Sequence, residues 1–367
     1  MLRWFSILSL SFFTSICWAQ TELIIEPDRG PTPILQAIHN AKSSIDLVMY
    51  GFTDLQFADM LNNAKKNGRN VRVLLQHYPY KADSENKTVA DKLQAYHISL
   101  IWPDGDFQLT HQKTLLTDHT NAIVMTFNFT HSTFKNERNF ALKISDPNEI
   151  HEIQQVFDSD YQHKKISVHQ PDLIWSPDNS RQKLLSLIQN AKYSIKIYAE
   201  TLSDYQIIGA LAKAAKNGVN ISVITSTHDK KPNKKFTFLT HAGVIIYISK
   251  NYYIHAKVII VDDKTAALGS INLTRASIDK NRELAVITHD HDVIEQLEKT
   301  FNNDSGEKKT AENKSYKTSD ISVALIREIK QFVRAHKYLQ RSPRHYPTHR
   351  KHIHHRKYLA KNMSNAI

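Results

Sequence analysis

The chain repeats itself, and this repeat restricts its fold more than any other feature of its 367 residues. Asn-Ala-Lys at 40–42 returns at 190–192, and Lys-Asn-Gly at 66–68 returns at 216–218, both at an offset of 150. Thr-His-Gln-Lys at 110–113 then matches Ile-His-Ala-Lys at 254–257, at an offset of 144. The chain therefore contains two copies of one unit, and the second copy lacks six residues of the first.

Each copy alternates helical and apolar extended patterns. The first copy predicts helices at 33–42 and 57–67 and strands at 45–50 and 71–75; the second predicts helices at 182–192 and 207–217 and strands at 195–199 and 221–225. Asn-Gly follows the second helix of both copies, where glycine suits a C-terminal cap. Such alternation is typical of an α/β fold. We expect two α/β/α domains packed as a pseudo-dimer, with one site between them and a basic C-terminal tail.

The termini and one linker divide the chain into four parts. Arg3, the apolar run 4–18 and Ala19 resemble an export signal, so residues 1–19 are predicted to be a signal peptide of a periplasmic or secreted protein. A stretch rich in Pro, Ser and Asp at 164–179 marks the boundary between the copies. We therefore predict the first repeat at 20–165, the second at 166–304 and the tail at 305–367.

Charge and cysteine usage exclude several classes of site. The one cysteine, Cys17, lies in the predicted signal peptide, which excludes disulfides, thiolate catalysis and cysteine metal ligation from the mature chain. The net charge is +12, but residues 305–367 hold 15 Lys and Arg against 4 Asp and Glu. The body is thus nearly neutral. The tail predicts one helix and a His-rich basic arm that contacts a polyanion or a membrane surface.

The sequence His-x-Lys-x4-Asp occurs once in each copy. Residues two apart on a strand share a face, so the histidine and lysine of each motif are expected to project together into one cleft. Each aspartate follows a buried apolar run, and we expect it to bond backbone or structural partners rather than substrate. The catalytic candidates are His111, Lys113, Asp118, His255, Lys257 and Asp262.

The two copies stay in register downstream of these motifs. An asparagine lies 17 residues after each histidine, and Asn139 and Glu283 each lie 28 residues after theirs. Gly269-Ser270-x-Asn272 in the second copy becomes Met125-Thr126-x-Asn128 in the first, and Met125 takes space where glycine lets backbone approach closely. The candidates for binding phosphate are Thr126, Asn128, Ser270 and Asn272, with Asn139 and Glu283 in supporting roles.

These motifs resemble the phospholipase D superfamily, whose signature is His-x-Lys-x4-Asp followed by Gly-Ser-x-Asn. The resemblance covers roughly residues 22–302 and implies a metal-independent enzyme that needs no cofactor. One imidazole is expected to attack phosphorus and form a phosphohistidine, while the other protonates the leaving alkoxide and later activates water. The lysines and asparagines are expected to hold the non-bridging oxygens. A single chain supplies the whole site, which predicts a functional monomer.

The two histidines are not expected to be equivalent, because Glu283 aligns with Asn139. If each of these side chains contacts the histidine of its own copy, Glu283 raises the pKa of His255 and Asn139 leaves His111 neutral. We therefore hypothesise that His111 attacks phosphorus and that His255 donates the proton.

Three functions remain open from the sequence. We favour phospholipid hydrolysis of the phospholipase D type, with an exported metal-independent endonuclease for DNA or RNA as the alternative. Phosphatidyl transfer to an alcohol, as in cardiolipin synthesis, is a variant of the first function. It is less favoured because that branch of the superfamily usually carries membrane helices. A non-catalytic polyanion-binding protein is the third interpretation, and the intact motifs in both copies argue against it.

Overall fold

The computed structural model of the protein describes residues 21–77, 79, 86–103, 105–226 and 234–306. The predicted signal peptide and most of the basic tail lie outside the described residues, so the predictions about them and about the domain boundaries stay predictions. None of the helices in the described ranges combines the length and the apolar character that crossing a bilayer requires.

The first copy forms a mixed sheet with helices. Its α1 buries Ile34, Leu35 and Ile38 on one face, and Asp54 caps α2 by accepting a hydrogen bond from the backbone N–H of Gln56. The elements are β1 (Glu22–Glu26), α1 (Thr32–Asn40), β2 (Ser44–Met49), α2 (Leu55–Lys66), β3 (Asn70–Leu75), α3 (Lys87–Ala95), β4 (Ser99–Ile101), β5 (Thr114–Thr117), β6 (Asn121–Met125), β7 (Glu137–Ile144) and α4 (Pro147–Tyr161).

The second copy repeats these elements with the same local devices. Asp204 caps α6 as Asp54 caps α2, and Gly68 and Gly218 follow α2 and α6 with φ of +84° and +93°. The elements are β8 (Leu173–Ser176), α5 (Ser180–Asn190), β9 (Ser194–Ala199), α6 (Tyr205–Lys216), β10 (Asn220–Thr225), α7 (Lys234–His241), β11 (Ile245–Ile248), β12 (Tyr253–Ile254), β13 (Lys257–Val261), β14 (Thr265–Gly269), α8 (Arg275–Asp279), β15 (Glu283–Thr288) and α9 (His291–Ser305).

The two sheets have the same strand order. The first runs β1-β7-β6-β5-β2-β3-β4, and the second runs β8-β15-β14-β13-β9-β10-β11. In each sheet the strand that follows the histidine motif, β5 or β13, lies antiparallel beside the central strand β2 or β9. The predicted α/β fold with two repeated units is therefore confirmed.

The apolar residues form three cores, and one of them belongs to both copies. Helices α1 to α3 cover one face of the first sheet, and α5 to α8 cover the corresponding face of the second. The third core lies between the sheets, where Phe140 of the first copy packs near Tyr198 and Trp175 of the second, together with residues of α4 and α9. Each copy thus buries one sheet face only by packing against the other, which is the predicted pseudo-dimer.

The seam between the copies is sealed by equivalent contacts in both directions. Strand β12 of the second copy pairs with β7 of the first, and Thr110 forms a bridge to Arg282 beside β15. The buried guanidinium of Arg282 binds Asp160 of the first copy and Asp178 of the second, and Arg138 repeats this arrangement at the equivalent positions. These contacts fix the segments that carry the two histidine motifs.

Candidate active site

Each motif histidine is anchored by backbone hydrogen bonds to the opposite copy. The backbone N–H groups of His111 and Gln112 both donate to the carbonyl oxygen of Arg282, at 2.9 and 3.1 Å. The N–H groups of His255 and Ala256 donate in the same way to the carbonyl of Arg138, at 3.2 and 3.0 Å. The two histidines therefore meet at the seam, and Lys257 of one copy acts electrostatically on His111 of the other.

His111 is held by a carboxylate. Its Nδ1 lies 2.8 Å from Oε2 of Glu283, whose side chain is fully buried, and Asn281 donates to the other oxygen of Glu283 at 2.9 Å. The ring of Tyr50 packs edge-on against the imidazole with 4.5 Å between centroids. A carboxylate acceptor keeps the proton of the neutral imidazole on Nδ1, so Nε2 has a free lone pair for substrate.

His255 is held by an amide instead. Its Nδ1 lies 3.1 Å from Oδ1 of Asn139, which also accepts a hydrogen bond from the hydroxyl of Thr126 at 2.8 Å. The amide nitrogen of Asn139 donates to Glu137 at 3.1 Å, and that carboxylate lies 3.9 Å from Nδ1 of His255. A carboxylate thus lies near both histidines, but the side chain of Asn139 lies between Glu137 and His255.

These contacts are crossed, which corrects the expectation that Glu283 contacts His255 and Asn139 contacts His111. The strands β7 and β15 lie across the seam from the histidine of their own copy, so each supplies the partner of the other histidine. The residues involved read Glu-Arg-Asn at 137–139 and Asn-Arg-Glu at 281–283. The order of amide and carboxylate is reversed between the copies, and this reversal is what makes the histidines different.

Burial lowers the pKa of both imidazoles. For His111 burial has the largest effect, Glu283 opposes it and Lys113 adds to it, and the pKa lies below its ordinary value. For His255 burial and the charge of Lys257 together lower the pKa well below the ordinary value, although Glu200 opposes them. Both rings are therefore neutral near pH 7 in the substrate-free protein.

The motif lysines lie in different surroundings. Lys113 donates to the backbone carbonyl of His111 at 2.5 Å, and burial followed by the charge of Lys257 lowers its pKa well below the usual range. Lys257 donates to the carbonyl of His255 and forms an ion pair with Glu200 at 2.6 Å. The two lysines are close enough for their charges to interact, as a site for one anion requires.

Glu200 is a site residue that sequence reasoning missed. It follows β9 and accepts a hydrogen bond from the side-chain nitrogen of Asn272 at 3.1 Å, while its carboxylate lies 3.7 Å from Nε2 of His255. Burial would raise its pKa, but Lys257 and His255 outweigh burial and hold the pKa well below its usual value. The internal repeat could have revealed this residue, because Glu200 of the second copy aligns with the uncharged Tyr50 of the first.

The other residues predicted to bind phosphate divide into two kinds. Asn128 and Asn272 lie beside Gly51 and Glu200 respectively, each at the end of a central strand, where the motif lysines also lie. The hydroxyls of Thr126 and Ser270 are buried and bonded to β7 and β15 backbone at Phe140 and Leu284. These two hydroxyls hold the asparagine loops in place rather than facing a ligand.

The glycine of the second copy serves the sheet. A Cβ on Gly269 would lie 2.2 Å from the carbonyl oxygen of Leu284 and 2.5 Å from Cα of Ala285. The close approach is therefore between β14 and β15, not between backbone and phosphate. Met125 in the first copy is fully buried in the core under α1 to α3, so the space that it takes at the glycine position lies within this core.

The motif aspartates lie at the far end of their strands from the histidines. Asp118 accepts hydrogen bonds from the backbone N–H groups of residues 42–44, and Asp262 accepts them from residues 192–194. Both have φ near +55°, a left-handed turn conformation that aspartate tolerates. Their predicted structural role is supported, and the contacts give them no part in direct catalysis.

One group of potential metal ligands occurs among the described residues. It consists of His291, Asp292 and Glu295, all exposed on the first turns of α9, and none of them contacts the motif residues in the interactions described above. The groups that meet at the seam are two imidazoles, two ammonium groups and two amides, together with the carboxylates of Glu200 and Glu283.

Comparisons with known proteins agree with this geometry. The family model described as "Cardiolipin synthase, PLD-like domain" matches twice, at residues 34–161 and 184–305. Cardiolipin synthase 1 of Staphylococcus epidermidis is 25% identical over 339 residues, covering 79% of this chain and 68% of that protein. The major cardiolipin synthase ClsA of Bacillus subtilis is 30% identical over 144 residues, covering 36% of this chain and 29% of that protein.

Solved structures share the fold at low sequence identity. Phosphatidylserine synthase of Haemophilus influenzae Rd KW20 superposes with a TM-score of 0.63 at 14% identity, over 88% of this chain and 94% of that one. Polyphosphate kinase of Porphyromonas gingivalis superposes with a TM-score of 0.64 at 14% identity, over 77% of this chain and 46% of that one. With both family matches placed on the two copies of one pseudo-dimer, the chain belongs to the phospholipase D superfamily and is one of its enzymes acting on phosphodiester bonds.

Proposed function

We propose that the protein cleaves phospholipid phosphodiester bonds in two steps, through a phosphohistidine formed on His111. The crossed pair of contacts carries the proposal. Each imidazole is held at Nδ1 by a side chain of the other copy, so both Nε2 atoms remain for a single substrate at the seam. Two nitrogens in this arrangement can serve as nucleophile and proton donor for the same phosphorus.

The roles of the histidines follow from their partners. Attack by Nε2 of His111 on phosphorus leaves the ring positively charged, and the carboxylate of Glu283 at Nδ1 stabilises that charge. His255 has the neutral Asn139 at Nδ1. Because no carboxylate bonds to this nitrogen, protonated His255 releases its proton more readily than protonated His111 would. The attacking residue is thus the one hypothesised from the sequence, although the contacts that support it are the opposite of those assumed there.

The first step breaks the bond between phosphorus and the headgroup oxygen while Nε2 of His111 bonds to phosphorus. The proton on Nε2 of His255 passes to the leaving oxygen. A bound phosphodiester and Glu200 both favour the protonated form of His255, in opposition to burial and Lys257. In the second step His255 takes a proton from water, the hydroxide attacks phosphorus and the bond to His111 breaks.

Four side chains would hold the non-bridging oxygens during both steps. Lys113 and Asn128 come from the first copy and Lys257 and Asn272 from the second, so each oxygen meets one ammonium and one amide. Donors fixed before substrate arrives stabilise the charge of the five-coordinate transition state without rearrangement. No step requires a metal ion.

A phospholipid substrate is supported by the relatives, which are named as cardiolipin synthases and match across both copies. The test offers the purified full-length protein labelled phosphatidylcholine and plasmid DNA in parallel, each with and without EDTA. We expect the protein to cleave the lipid at the same rate with and without EDTA. The variants His111→Ala and His255→Ala should each lose this activity. Nicked plasmid beside untouched lipid would instead favour the endonuclease.

The attacking residue can be identified directly. A rapid quench with phosphatidylcholine, followed by peptide mass spectrometry, is expected to find the phosphoryl adduct on His111. The adduct should accumulate in His255→Ala only when a substrate with an activated leaving group replaces the phospholipid. An adduct mapped to His255 would reverse the two roles while leaving the phosphodiesterase assignment in place.

Phosphatidyl transfer to an alcohol is a second candidate, favoured by the same relatives. In transfer an alcohol replaces water in the second step and His255 removes the alcohol proton. Adding glycerol or phosphatidylglycerol to the lipid assay distinguishes the two: hydrolysis yields phosphatidic acid alone, whereas transfer yields a new phosphodiester lipid. We further propose that the protein acts outside the cytoplasm as a monomer, which cell fractionation and light scattering would test.

A further inference from the structure

The second copy carries an acidic residue at the point where it should bind an anion. The carboxylate of Glu200 lies 2.6 Å from Nζ of Lys257 and 3.1 Å from the amide nitrogen of Asn272. It is also 3.7 Å from Nε2 of His255. These are the three groups that the second copy offers to a phosphodiester, and all three lie near one oxygen of Glu200, Oε2, so in the substrate-free protein this oxygen has the position and the contacts of a phosphate oxygen.

The first copy shows what the site is without this carboxylate. Tyr50 stands at the equivalent position, with its ring 4.5 Å from that of His111 and 4.9 Å from Nζ of Lys113. An aromatic ring at this distance is compatible with a bound anion, since it brings no net charge. The phosphate site is therefore asymmetric: its first half presents an ammonium and an amide, and its second half presents the same groups already engaged by Glu200.

The carboxylate is held in place. Apart from its bonds to Lys257 and Asn272, its other oxygen accepts a hydrogen bond from the hydroxyl of Tyr253 at 3.4 Å, and its side chain is only 20% exposed. Its backbone N–H donates to the carbonyl of Ala256 at 3.2 Å, next to the histidine motif. In the substrate-free protein the carboxylate is thus fixed from several sides beside the groups that a phosphodiester would contact.

The charges in the site indicate the consequence. Glu200 pairs with Lys257 at 2.6 Å and balances its charge, so the second half of the site carries no unpaired lysine charge to offer a further anion. A phosphodiester brings one negative charge, whereas a phosphomonoester brings nearly two above its second pKa of about 6. The additional charge of a monoester lies within a few ångströms of Glu200 and is repelled at short range in a partly buried site.

We propose that Glu200 is a specificity-determining residue that occupies half of the phosphate site, so that monoanionic diesters bind and dianionic monoesters are rejected. The proposal rests on the proposed function, because hydrolysis of a diester produces a monoester in the same position. Glu200 then repels the product more strongly than the substrate. Release of phosphatidic acid and resistance to free phosphate follow from the same carboxylate.

The test measures binding rather than turnover, so it does not depend on the natural substrate. Full-length protein is titrated at pH 7.5 with dimethyl phosphate and with methyl phosphate by calorimetry, for wild type, Glu200→Gln and Glu200→Tyr. The tyrosine variant gives the second half the residue that the first half carries. Glu295→Gln, which removes an exposed carboxylate of α9, controls for the change in net charge.

We expect wild type to prefer dimethyl phosphate. In Glu200→Gln the affinity for methyl phosphate should rise at least about tenfold, because the carboxylate that repels the second charge is gone. The affinity for dimethyl phosphate should rise less, and Glu200→Tyr should behave like Glu200→Gln. Circular dichroism spectra that match wild type establish that the variants are folded.

Two results would overturn the proposal. Equal changes in affinity for both ligands would mean that Glu200 does not discriminate by charge. Unchanged affinity for methyl phosphate in folded Glu200→Gln would mean that the carboxylate does not compete for the phosphate site. Failure of the proposed function appears separately, as bound dimethyl phosphate with no cleavage of any phospholipid by wild type.

Discussion

The two imidazoles of the site differ in their partners although their backbone positions are equivalent. His111 faces a carboxylate and His255 an amide, and burial lowers the pKa of both; the pKa of His255 falls further, because Lys257 adds to burial there whereas Glu283 opposes burial at His111. A buried histidine whose pKa falls below that of the unfolded chain binds fewer protons when folded. Its contribution to stability is complete above the unfolded pKa and is lost as the pH falls below it.

This linkage predicts that the substrate-free protein loses stability as the pH falls below the unfolded histidine value of 6.5. We expect the free energy of unfolding of the wild type to fall between pH 7.5 and pH 5. The free energy of unfolding of His255→Gln should fall less over the same interval. Urea unfolding at a series of pH values measures the difference. His241→Gln, at an exposed position, should keep the wild-type slope; an unchanged slope in His255→Gln would show that the buried imidazole is not the source.

A second prediction concerns the motif aspartates. Asp118→Asn replaces a carboxylate that accepts several backbone hydrogen bonds with an amide that can accept at one oxygen only. We expect a loss of about 1–3 kcal/mol in the free energy of unfolding, with kcat/KM of the folded enzyme retained, and the same for Asp262→Asn. The neighbouring Asp263→Asn, whose side chain is 63% exposed, is the matched control. A large loss of kcat in fully folded Asp118→Asn would return this aspartate to the catalytic group.

At the scale of elements, β7 and the start of β15 supply the side chains that bond to Nδ1 of the two motif histidines. The internal repeat was enough to predict the helices, the central strands and the motif positions, because each follows from local periodicity repeated at a fixed offset. It could not predict that the partners cross the seam, since an offset identifies equivalent residues without showing which copy they touch. For the same reason, the reversed order of Glu-Arg-Asn at 137–139 and Asn-Arg-Glu at 281–283 does not predict the partner of either histidine from sequence alone. The partners follow only when each segment is known to lie beside the histidine of the other copy.

The reversal itself can be tested by exchanging the residues. The double variant Glu137→Asn/Asn139→Glu puts a carboxylate directly at Nδ1 of His255, as Glu283 stands at His111. An adjacent carboxylate raises the pKa of an imidazole, so the proton donor keeps its proton to higher pH. We expect the alkaline limb of the pH dependence of kcat to move up by about one pH unit or more.

The reciprocal variant Asn281→Glu/Glu283→Asn serves as the comparison. It removes the carboxylate that stabilises the charged ring of His111 after attack, and kcat should fall about 10²-fold or more. If both exchanges lowered kcat equally without moving the alkaline limb, the two strands would not assign different roles to the histidines.

At the scale of the whole molecule, the two copies are one folding unit. The core between the sheets draws residues from both, and Arg138 and Arg282 each bind one aspartate of each copy beside the segments that hold the motif histidines. Equivalent pairs can be found in the sequence at the offsets of the repeat, as in Asp160 and Asp304. Their contact with an arginine of the other copy depends on the packing of the sheets, which the sequence does not specify.

Because the two copies share a core, we expect a substitution at Arg282 to destabilise both copies together. Arg282→Met removes a guanidinium that is 4% exposed and leaves Asp160 without its partner in a site where burial already raises the pKa of that carboxyl. We expect the free energy of unfolding to fall by about 3–5 kcal/mol, as when one partner of a buried ion pair is lost. Because each copy depends on the other for its inner face, calorimetry should show one transition at a lower temperature, with equal calorimetric and van't Hoff enthalpies.

A compensating change separates lost packing from an unpaired charge. In Arg282→Met/Asp160→Leu the buried carboxylate that would lose its guanidinium partner is also removed, and the remaining partner, Asp178, is 38% exposed. Most of the lost stability should therefore return, since apolar residues can replace a buried ion pair at little net change. Activity should return with it, because the N–H groups of His111 and Gln112 bond the backbone carbonyl of residue 282 rather than its side chain. Two separate transitions in Arg282→Met would instead mean that each copy folds alone and that the seam only docks them.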